Sequence, residues 1–459
     1  MTEAAAATPD ATNRTDILVA GAGSTGLAAA LAFAKSGLRV TLVGRVPPPL
    51  PGRTVALFEA SLRFLDQLGA LDRVRAQGCR IEAIRMIDDT DQLLPVPELT
   101  LSASEVDLPA LGINISNDEL VAVLLDLTRA NTAISFIDAD IVDYDFSTGA
   151  TAILGDGRRL DARFIAAADG RNSRARVVAG IDVKEWTYPQ IALTMMLRHE
   201  FPHDGVSTEY HTRSGPFTLV PLPGTEAAPH RSSLVWLMNV DDARRRLAKP
   251  REELEFEIED YAKSEFGVMK IDSDIGQFRM GGMQVSQHGK GRLALVGETC
   301  HVFPPIGAQG LNLSLRDVAD LEDCLASIDL QNDKELSRAL ARYDRHRRAD
   351  IGFRTHGVDI LNRSLIIPYL PVDLFRGASF IAVSALGPLR RAIIREGILP
   401  HLALPRLMQQ PIETIDAAHR HTRRSVRMSL RRQLIVARSA NRRPNHSATL
   451  IDTWLDHIP

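Results

Sequence analysis

The stretch DILVAGAGSTGLAAALAFAKSGLRVTLVGR, residues 16–45, constrains the fold of this 459-residue chain more than any other. A short apolar strand runs into Gly21, Gly23 and Gly26, an Ala/Leu-rich helix follows, and a second strand ends at Val43. That order is a βαβ dinucleotide fingerprint. Gly21 permits the tight turn, Gly23 lets a pyrophosphate approach the backbone, and Gly26 lets helix and strand pack closely. Ser24 joins them as a candidate cofactor contact, and the phosphates face the helix N-terminus. The acid that normally ends the second strand and accepts the adenosine ribose hydroxyls is missing: Gly44 and Arg45 stand there, followed by VPPPLPGR. One affinity term is gone or relocated. Restoring an acid at position 44 is therefore expected to tighten cofactor binding by roughly 1.5–3 kcal/mol, the worth of a charged hydrogen bond.

Two later blocks extend the pattern. RFIAAADGRNSRARVVAG gives a strand ending at Asp169 and Gly170, with Ser173 and Arg176 opening a helix. GRLALVGETCHVFPPIGAQGLNLSLRDVADLEDCL gives a strand through Val296, an acid at Glu298, a Pro- and Gly-rich wall, and a helix beginning near Leu311. Adjacent Pro304 and Pro305 followed by Gly307 and Gly310 combine fixed and free φ, which a plain loop does not need.

In this order the three blocks resemble the single-component flavin monooxygenases typified by para-hydroxybenzoate hydroxylase. Within that group the chain is more similar to the ubiquinone-biosynthesis hydroxylases, through RTVALFEASLRFLDQLGAL, PPIGAQGLNLSLRDVADL and SALGPLRRAIIREG, over roughly residues 15 to 409. The resemblance implies an α/β fold: a discontinuous Rossmann-like FAD-binding domain (residues 14–75, 112–183 and 279–345), a β-sheet substrate domain (76–111 and 184–278) and a C-terminal helical region (346–409). A disordered lead (1–13) and a basic tail (410–459) flank these. It implies FAD as cofactor, with Asp169 and Gly170 at the cofactor and Glu298 on the ribityl chain. The backbone from Pro305 through Gly307, Gln309, Gly310 and Leu311 to Asn312 would lie against the flavin ring. Arg53 would lie near the flavin or its access path, so that Arg53, Pro305 and Gly307 form the expected catalytic set. The family pattern has Asp where this chain has Glu298.

The chemistry implied is hydroxylation of an electron-rich phenol by O2. Reduced flavin carries negative charge that the N-terminus of the helix near Leu311 could stabilise, and the oxygen transfer needs a dry pocket. Residues 184–278 suit such a pocket: TMMLRHE, GPFTLVPLPG and SSLVWLMN read as strands and PREELEFEIEDYAKSEFG as a helix. Tyr210 and His211 are titratable groups in that region, although exposed strand positions are their simpler reading. A second glycine fingerprint and a CxxC are both missing, so NAD(P)H or another electron donor binds transiently, without its own Rossmann domain.

Other signals narrow the field. HEFPH at His199 to His203 formally matches a zinc-peptidase pattern, but Pro202 would break the helix that the pattern needs, and no metal centre is expected. A net charge of −3 argues against a nucleic-acid partner. Cys79, Cys300 and Cys324 are scattered, which suits a reducing cytoplasm. The tail carries Arg420, Arg423, Arg424, Arg427, Arg431, Arg432 and more, with Val426, Leu430 and Leu434 spaced by four. That pattern fits a basic amphipathic helix on the inner membrane face, contact with a ubiquinone-synthesis complex, or a solvated tail. The substrate expected is a lipid-tailed, polyprenylated phenol. Two alternatives stay open: a soluble hydroxylase of a small phenolic acid, and a flavin-poor structural component of a ubiquinone-synthesis complex.

Overall fold

The computed structural model describes residues 15–50, 52–90, 97–304, 306–366, 382–383, 385–399, 404–409 and 412. The expected disordered lead, Pro305 and all of the basic tail except Ile412 lie outside them.

The first strand, Thr15–Ala20, is buried almost throughout and pairs in parallel with Val40–Val43 on one side and Arg159–Ala167 on the other. Parallel neighbours Ile134–Ile137 and Leu293–Leu295 extend this sheet, whose eight strands include the antiparallel additions Ile141–Asp145, Ala150–Leu154 and Gly289–Lys290. Such near-continuous apolar runs are what a sheet covered on both faces requires. The helix Ser24–Lys35 crosses over it, and everything from Gly26 to Phe33 is buried. Its alanines allow that burial because it lies between the sheet and two further helices, Asn117–Ala130 and Gln309–Leu325.

A second sheet of nine strands runs in the order His301–Val302, Gly276–Val285, Val183–His199, Arg231–Asn239, Gly215–Leu222, Val206–Thr212, Ala83–Asp88, Leu99–Ser102, with Met269–Ile271 beside Val183–His199. Alternation sorts its faces. Leu193, Met195, Leu197, Tyr210, Phe217, Leu234 and Trp236 face Leu254 and Ile258 of the helix Arg251–Tyr261 and form one core. On the opposite face, Ala192, Leu237 and Met280 cluster with Tyr188, Val235 and Phe278.

A small three-stranded sheet, Thr54–Phe58, Gly112–Ser116 and Cys79–Ile81, bridges the two larger ones. Thr54 Oγ1 donates to Ser233 Oγ at 2.9 Å, and Asn114 Nδ2 donates to Pro221 O at 2.9 Å. This sheet takes strands from both of the domains expected from sequence, spanning the boundaries at 75/76 and 111/112. The C-terminal part is helical: Asp333–Ile366, Gly387–Ile398 and Arg406–Gln409. Among the described residues, no helix is long and apolar enough to cross a membrane.

Candidate active site

The three sequence blocks meet at the C-terminal ends of the parallel strands, where open α/β sheets bind ligands. Ala20 O accepts from Ala168 N at 2.7 Å, and a Cβ on Gly21, whose φ is +111°, would sit 2.3 Å from Ala168 O. The fingerprint turn and the Asp169 block are thus in direct contact. A Cβ on Gly26 would lie 1.8 Å from Gly21 O, which is why helix and strand can pack there only with glycine. The third block closes onto the second: Val296 N donates to Ala167 O at 2.9 Å, and the buried Arg176 donates through Nη1 to Thr299 O at 2.7 Å. It also closes onto the first, since Gly297 abuts Thr25 of the fingerprint helix.

Asp169 lies at this junction. Its Oδ2 accepts from Ala175 N at 3.3 Å, while Oδ1 is buried with no hydrogen-bond partner. Burial pushes its carboxyl above the usual range, against hydrogen bonds from Ser173 and Ala175 that pull the other way. Glu298 and Arg53, expected on separate grounds, form an ion pair at 3.4 Å, both half-exposed. Screening makes such a pair weak in itself. The pair links the segment before the strand Thr54–Phe58 to the Gly297 block.

The wall leads into the helix Gln309–Leu325, which begins at Gln309 rather than near Leu311. Gly307 (φ +66°) and Ala308 (φ +51°) are both left-handed, so the chain turns sharply before the first helical N–H groups. Pro305 lies outside the described residues. Leu311 packs into the main core. The Asn312 side chain is fully engaged by protein: Oδ1 accepts from Phe58 N at 2.9 Å and Ser61 Oγ at 2.7 Å, and Nδ2 donates to Ala56 O and Ala308 O, both at 2.7 Å. It staples the wall to the bridging sheet and leaves only its backbone for a ligand. Gln309 is likewise held, donating to Gly307 O at 3.0 Å and accepting from Arg354 Nη1 at 2.8 Å.

Beneath the wall runs a buried charge network that no sequence motif indicated. Asp317, fully buried, accepts from Gly297 N at 2.9 Å and Arg347 Nε at 2.7 Å and pairs with His301 Nε2 at 2.6 Å. Burial alone would raise its carboxyl, but His301 and Arg347 hold it below the usual range. Arg347 continues to Asp350 at 3.0 Å, and Asp350 pairs with Arg316 at 2.7 Å and Arg354 at 2.9 Å. Arg354 then reaches Gln309. Both ends of the wall, Gly297 and Gln309, are therefore tied to the helix Asp333–Ile366. The only sequence signal for this was basic and acidic residues at helical spacing, which usually marks a solvated face.

Two expectations change. Tyr210 and His211 are not exposed: both are essentially buried. Tyr210 lies in the helix-covered core, donating to Ala262 O at 3.1 Å, and His211 contacts Glu209 Oε1 at 2.6 Å. Adjacent strand residues point to opposite faces, so the burial of both shows that both faces are covered there. An acid at position 44 does not fit, because a Cβ on Gly44 would be 2.7 Å from Ala22 N and 2.9 Å from Gly21 Cα. Arg45 is instead paired with Asp140 at 2.8 Å. His199 and His203 lie at a strand end and in the following turn, not on one helical face: His199 Nδ1 contacts Phe201 O at 2.7 Å.

The residues fit a flavin dinucleotide. A Cβ placed on Gly23, Gly170, Gly307 or Gly310 would meet nothing within 4 Å, so the backbone lies open at these four positions. The unpartnered Asp169 Oδ1 adds a buried acceptor without a donor. Fold and site together define a flavin monooxygenase of the para-hydroxybenzoate hydroxylase-like class. A family model described as an FAD binding domain matches residues 14–351, and the chain belongs to that family. It is 32% identical over 395 residues to ubiquinone hydroxylase UbiL of Rhodospirillum rubrum, covering 83% of this chain and 89% of that protein. It is 27% identical over 391 residues to 3-demethoxyubiquinol 3-hydroxylase of Escherichia coli, covering 83% and 97%. Among solved structures, p-nitrophenol 4-monooxygenase PnpA from Pseudomonas putida shares the fold, with a TM-score of 0.68 at 18% identity, covering 83% of this chain and 97% of that one.

Proposed function

We infer that the protein is an FAD-dependent hydroxylase of ubiquinone biosynthesis, inserting one oxygen atom of O2 into the ring of a polyprenylated phenol and releasing the other as water. Bound FAD supplies the redox chemistry, taking electrons from NAD(P)H or another donor and activating O2. The chain's own residues bind, orient and exclude water. Backbone at Gly21, Gly23, Ser24 and Gly26 receives the pyrophosphate at a helix N-terminus. Asp169 and Gly170 line the same edge, and Asp169 Oδ1 accepts a hydroxyl or N–H from the cofactor. Glu298, aligned by Arg53, accepts from the ribityl hydroxyls. The first N–H groups of the helix from Gln309 through Gly310 and Leu311 to Asn312 point a positive dipole end at the ring, where reduction places negative charge. Gly307 shapes the wall between ring and substrate.

The single observation that carries this reading is the convergence of the three blocks on one sheet edge with its glycine backbone open. The lipid-tailed substrate is favoured over a small phenolic acid by the apolar cluster of Ala192, Leu237, Met280, Tyr188, Val235 and Phe278. Leu237 and Val235 share a strand face with Ser233, which bonds Thr54 next to Arg53, so the cluster faces the cofactor side. The test is to purify the protein, record its absorbance and supply a short-chain prenylphenol, NADH and 18O2. Flavin bands and a ring hydroxyl carrying one 18O are expected. A protein without flavin bands that FAD cannot reconstitute would instead be the structural component, and turnover of hydroxybenzoate in preference to the prenylphenol would favour the small-acid hydroxylase.

A further inference from the structure

The helices Gln309–Leu325 and Asp333–Ile366 pack on one another, and beyond the Asp317–Arg347 network they bring together three side chains that the flavin site does not use. Asp320 and Cys324 lie four residues apart, hence on one face of the first helix, and His346 meets them from the second. Asp320 Oδ1 is 3.0 Å from His346 Nδ1, and a carboxylate oxygen, the thiol sulfur and an imidazole nitrogen all lie within 4.8 Å of one another. Two ligands held about 2.1 Å from a tetrahedral ion stand about 3.4 Å apart, so the trio is already close to a coordination spacing.

Protein does not close the set. Asp320 is only 5% exposed, yet its Oδ2 is buried with no hydrogen-bond partner. A buried acceptor left without a donor is costly unless something brings positive charge to it. Cys324, 1% exposed, receives Arg342 Nε at 3.3 Å, but Arg342 is itself exposed and free to turn into solvent when a cation takes the sulfur. Cys300, His301 and Asp317 offer the same donor types and make the contrast: there both carboxylate oxygens are taken, by Gly297 N, His301 and Arg347.

We propose that Asp320, Cys324 and His346 bind one divalent transition-metal ion, with Zn2+ the best match. Thiolate and imidazole suit Zn2+ and not Mg2+ or Ca2+, and three protein ligands leave the fourth position for water. The thiol passes its proton to solvent on binding. No metal centre was expected from the sequence, because the ligands come from two helices, with Asp320 and His346 separated by 26 residues. The ion would clamp the later turns of Gln309–Leu325 onto Asp333–Ile366, as Arg316 and Asp317 clamp the earlier ones. Asp320 lies about 16 Å along the helix from Gln309, at about 1.5 Å per residue, so the site depends on neither the flavin chemistry nor the substrate.

The experiment is a Co2+ titration of the full chain, loaded with FAD and stripped of metal by a chelator. The d–d bands of Co2+ lie to the red of the flavin bands and are intense when the ion is four-coordinate; competition then gives the Zn2+ affinity. Wild type is compared with Cys324→Ser, His346→Ala and a tail control, His419→Ala with His421→Ala. The expected result is one four-coordinate ion per chain, a thiolate-to-metal charge-transfer band lost in Cys324→Ser, and a melting temperature that Zn2+ raises in the wild type and tail control but not in the two site variants. Their dissociation constants should rise at least about tenfold, the scale on which loss of even an outer partner of a metal site is felt. The His346 side chain is 39% exposed, so His346→Ala should keep wild-type circular dichroism and FAD content, and it decides the matter should Cys324→Ser not fold. Failure of the wild type to bind Co2+ or Zn2+ would overturn the proposal. So would weak six-coordinate bands, equal affinity in His346→Ala, or loss only in the tail control, each of which means an adventitious ion only.

Discussion

At the scale of single residues, the site turns on two positions whose chemistry is set by what surrounds them. Asp169 is held with its carboxyl above the usual range because burial outweighs the hydrogen bonds from Ser173 and Ala175. A raised folded value means that the neutral form stabilises the protein below the unfolded value near 3.8, and that this contribution is lost as pH rises through the raised one. Above that raised value the apoprotein therefore carries a charge that it would be more stable without. Asp169→Asn is expected to raise the melting temperature of the apoprotein at pH 7, by an amount that shrinks as the pH is lowered toward 4, while weakening FAD by about tenfold through loss of a charged acceptor. Calorimetry across that pH range with an FAD titration checks both halves; an apoprotein no more stable at pH 7 would show that Asp169 carries no unmet charge. Gly44 is the opposite case. With its Cβ position 2.7 Å from Ala22 N, Gly44→Glu would push on the fingerprint turn itself, so its FAD dissociation constant is expected to rise. The same titration measures it, and tighter binding would mean that Ala22 can yield.

At the scale of elements, the glycine-rich edge and the helix below it respond differently to substitution. A valine at position 310 has open space to occupy, so Gly310→Val should keep its melting temperature within a few degrees of wild type while FAD occupancy or hydroxylation falls at least about tenfold. Equal occupancy and turnover would reduce Gly310 to a helix-starting residue. Arg347→Met acts through stability instead: it strips Asp317 and Asp350 of a shared buried cation and should cost about 3–5 kcal/mol in chemical denaturation. Asp317 is held below the usual carboxylate range, so its stabilisation is present above about pH 4 and lost as the pH falls through the lower folded value; in the variant that loss should begin at higher pH. These cases also mark how far the sequence could be read. The three blocks were legible because a tight turn, a close backbone approach and a helix start each demand particular residue types within a few positions, as at Gly21, Gly26 and Gly307. The Arg347–Asp350–Arg354 ladder was not, because its meaning lies in contacts with Asp317 and Gln309, 30 and 45 residues away. Tyr210 and His211 were misjudged because alternation shows that two side chains take opposite faces, not that both faces are covered.

At the scale of the molecule, catalysis needs the two large sheets held at a fixed separation around a dry space, and the bridging strands do this with few contacts. Beside them, Gly52 carries a φ of +64°, and a Cβ there would lie 2.7 Å from Met195 Cα and 2.9 Å from Thr194 O, backbone of the nine-stranded sheet. One residue later Arg53 reaches Glu298 on the cofactor side at 3.4 Å. Residues 52 and 53 therefore span the junction, the first abutting the backbone of the nine-stranded sheet and the second reaching Glu298 through its side chain. Gly52→Ala meets both the left-handed penalty of about 1–2 kcal/mol and a collision with the backbone of the nine-stranded sheet that pushes the two apart. The expected outcome is a lower melting temperature and, more tellingly, uncoupling: donor and O2 consumed at a near-normal rate while hydroxylated product per donor falls, because a widened junction admits water to the pocket. Product yield measured against NADH consumed checks this. Unchanged coupling in a folded Gly52→Ala protein would show that the junction tolerates movement, and that dryness is secured elsewhere in the pocket.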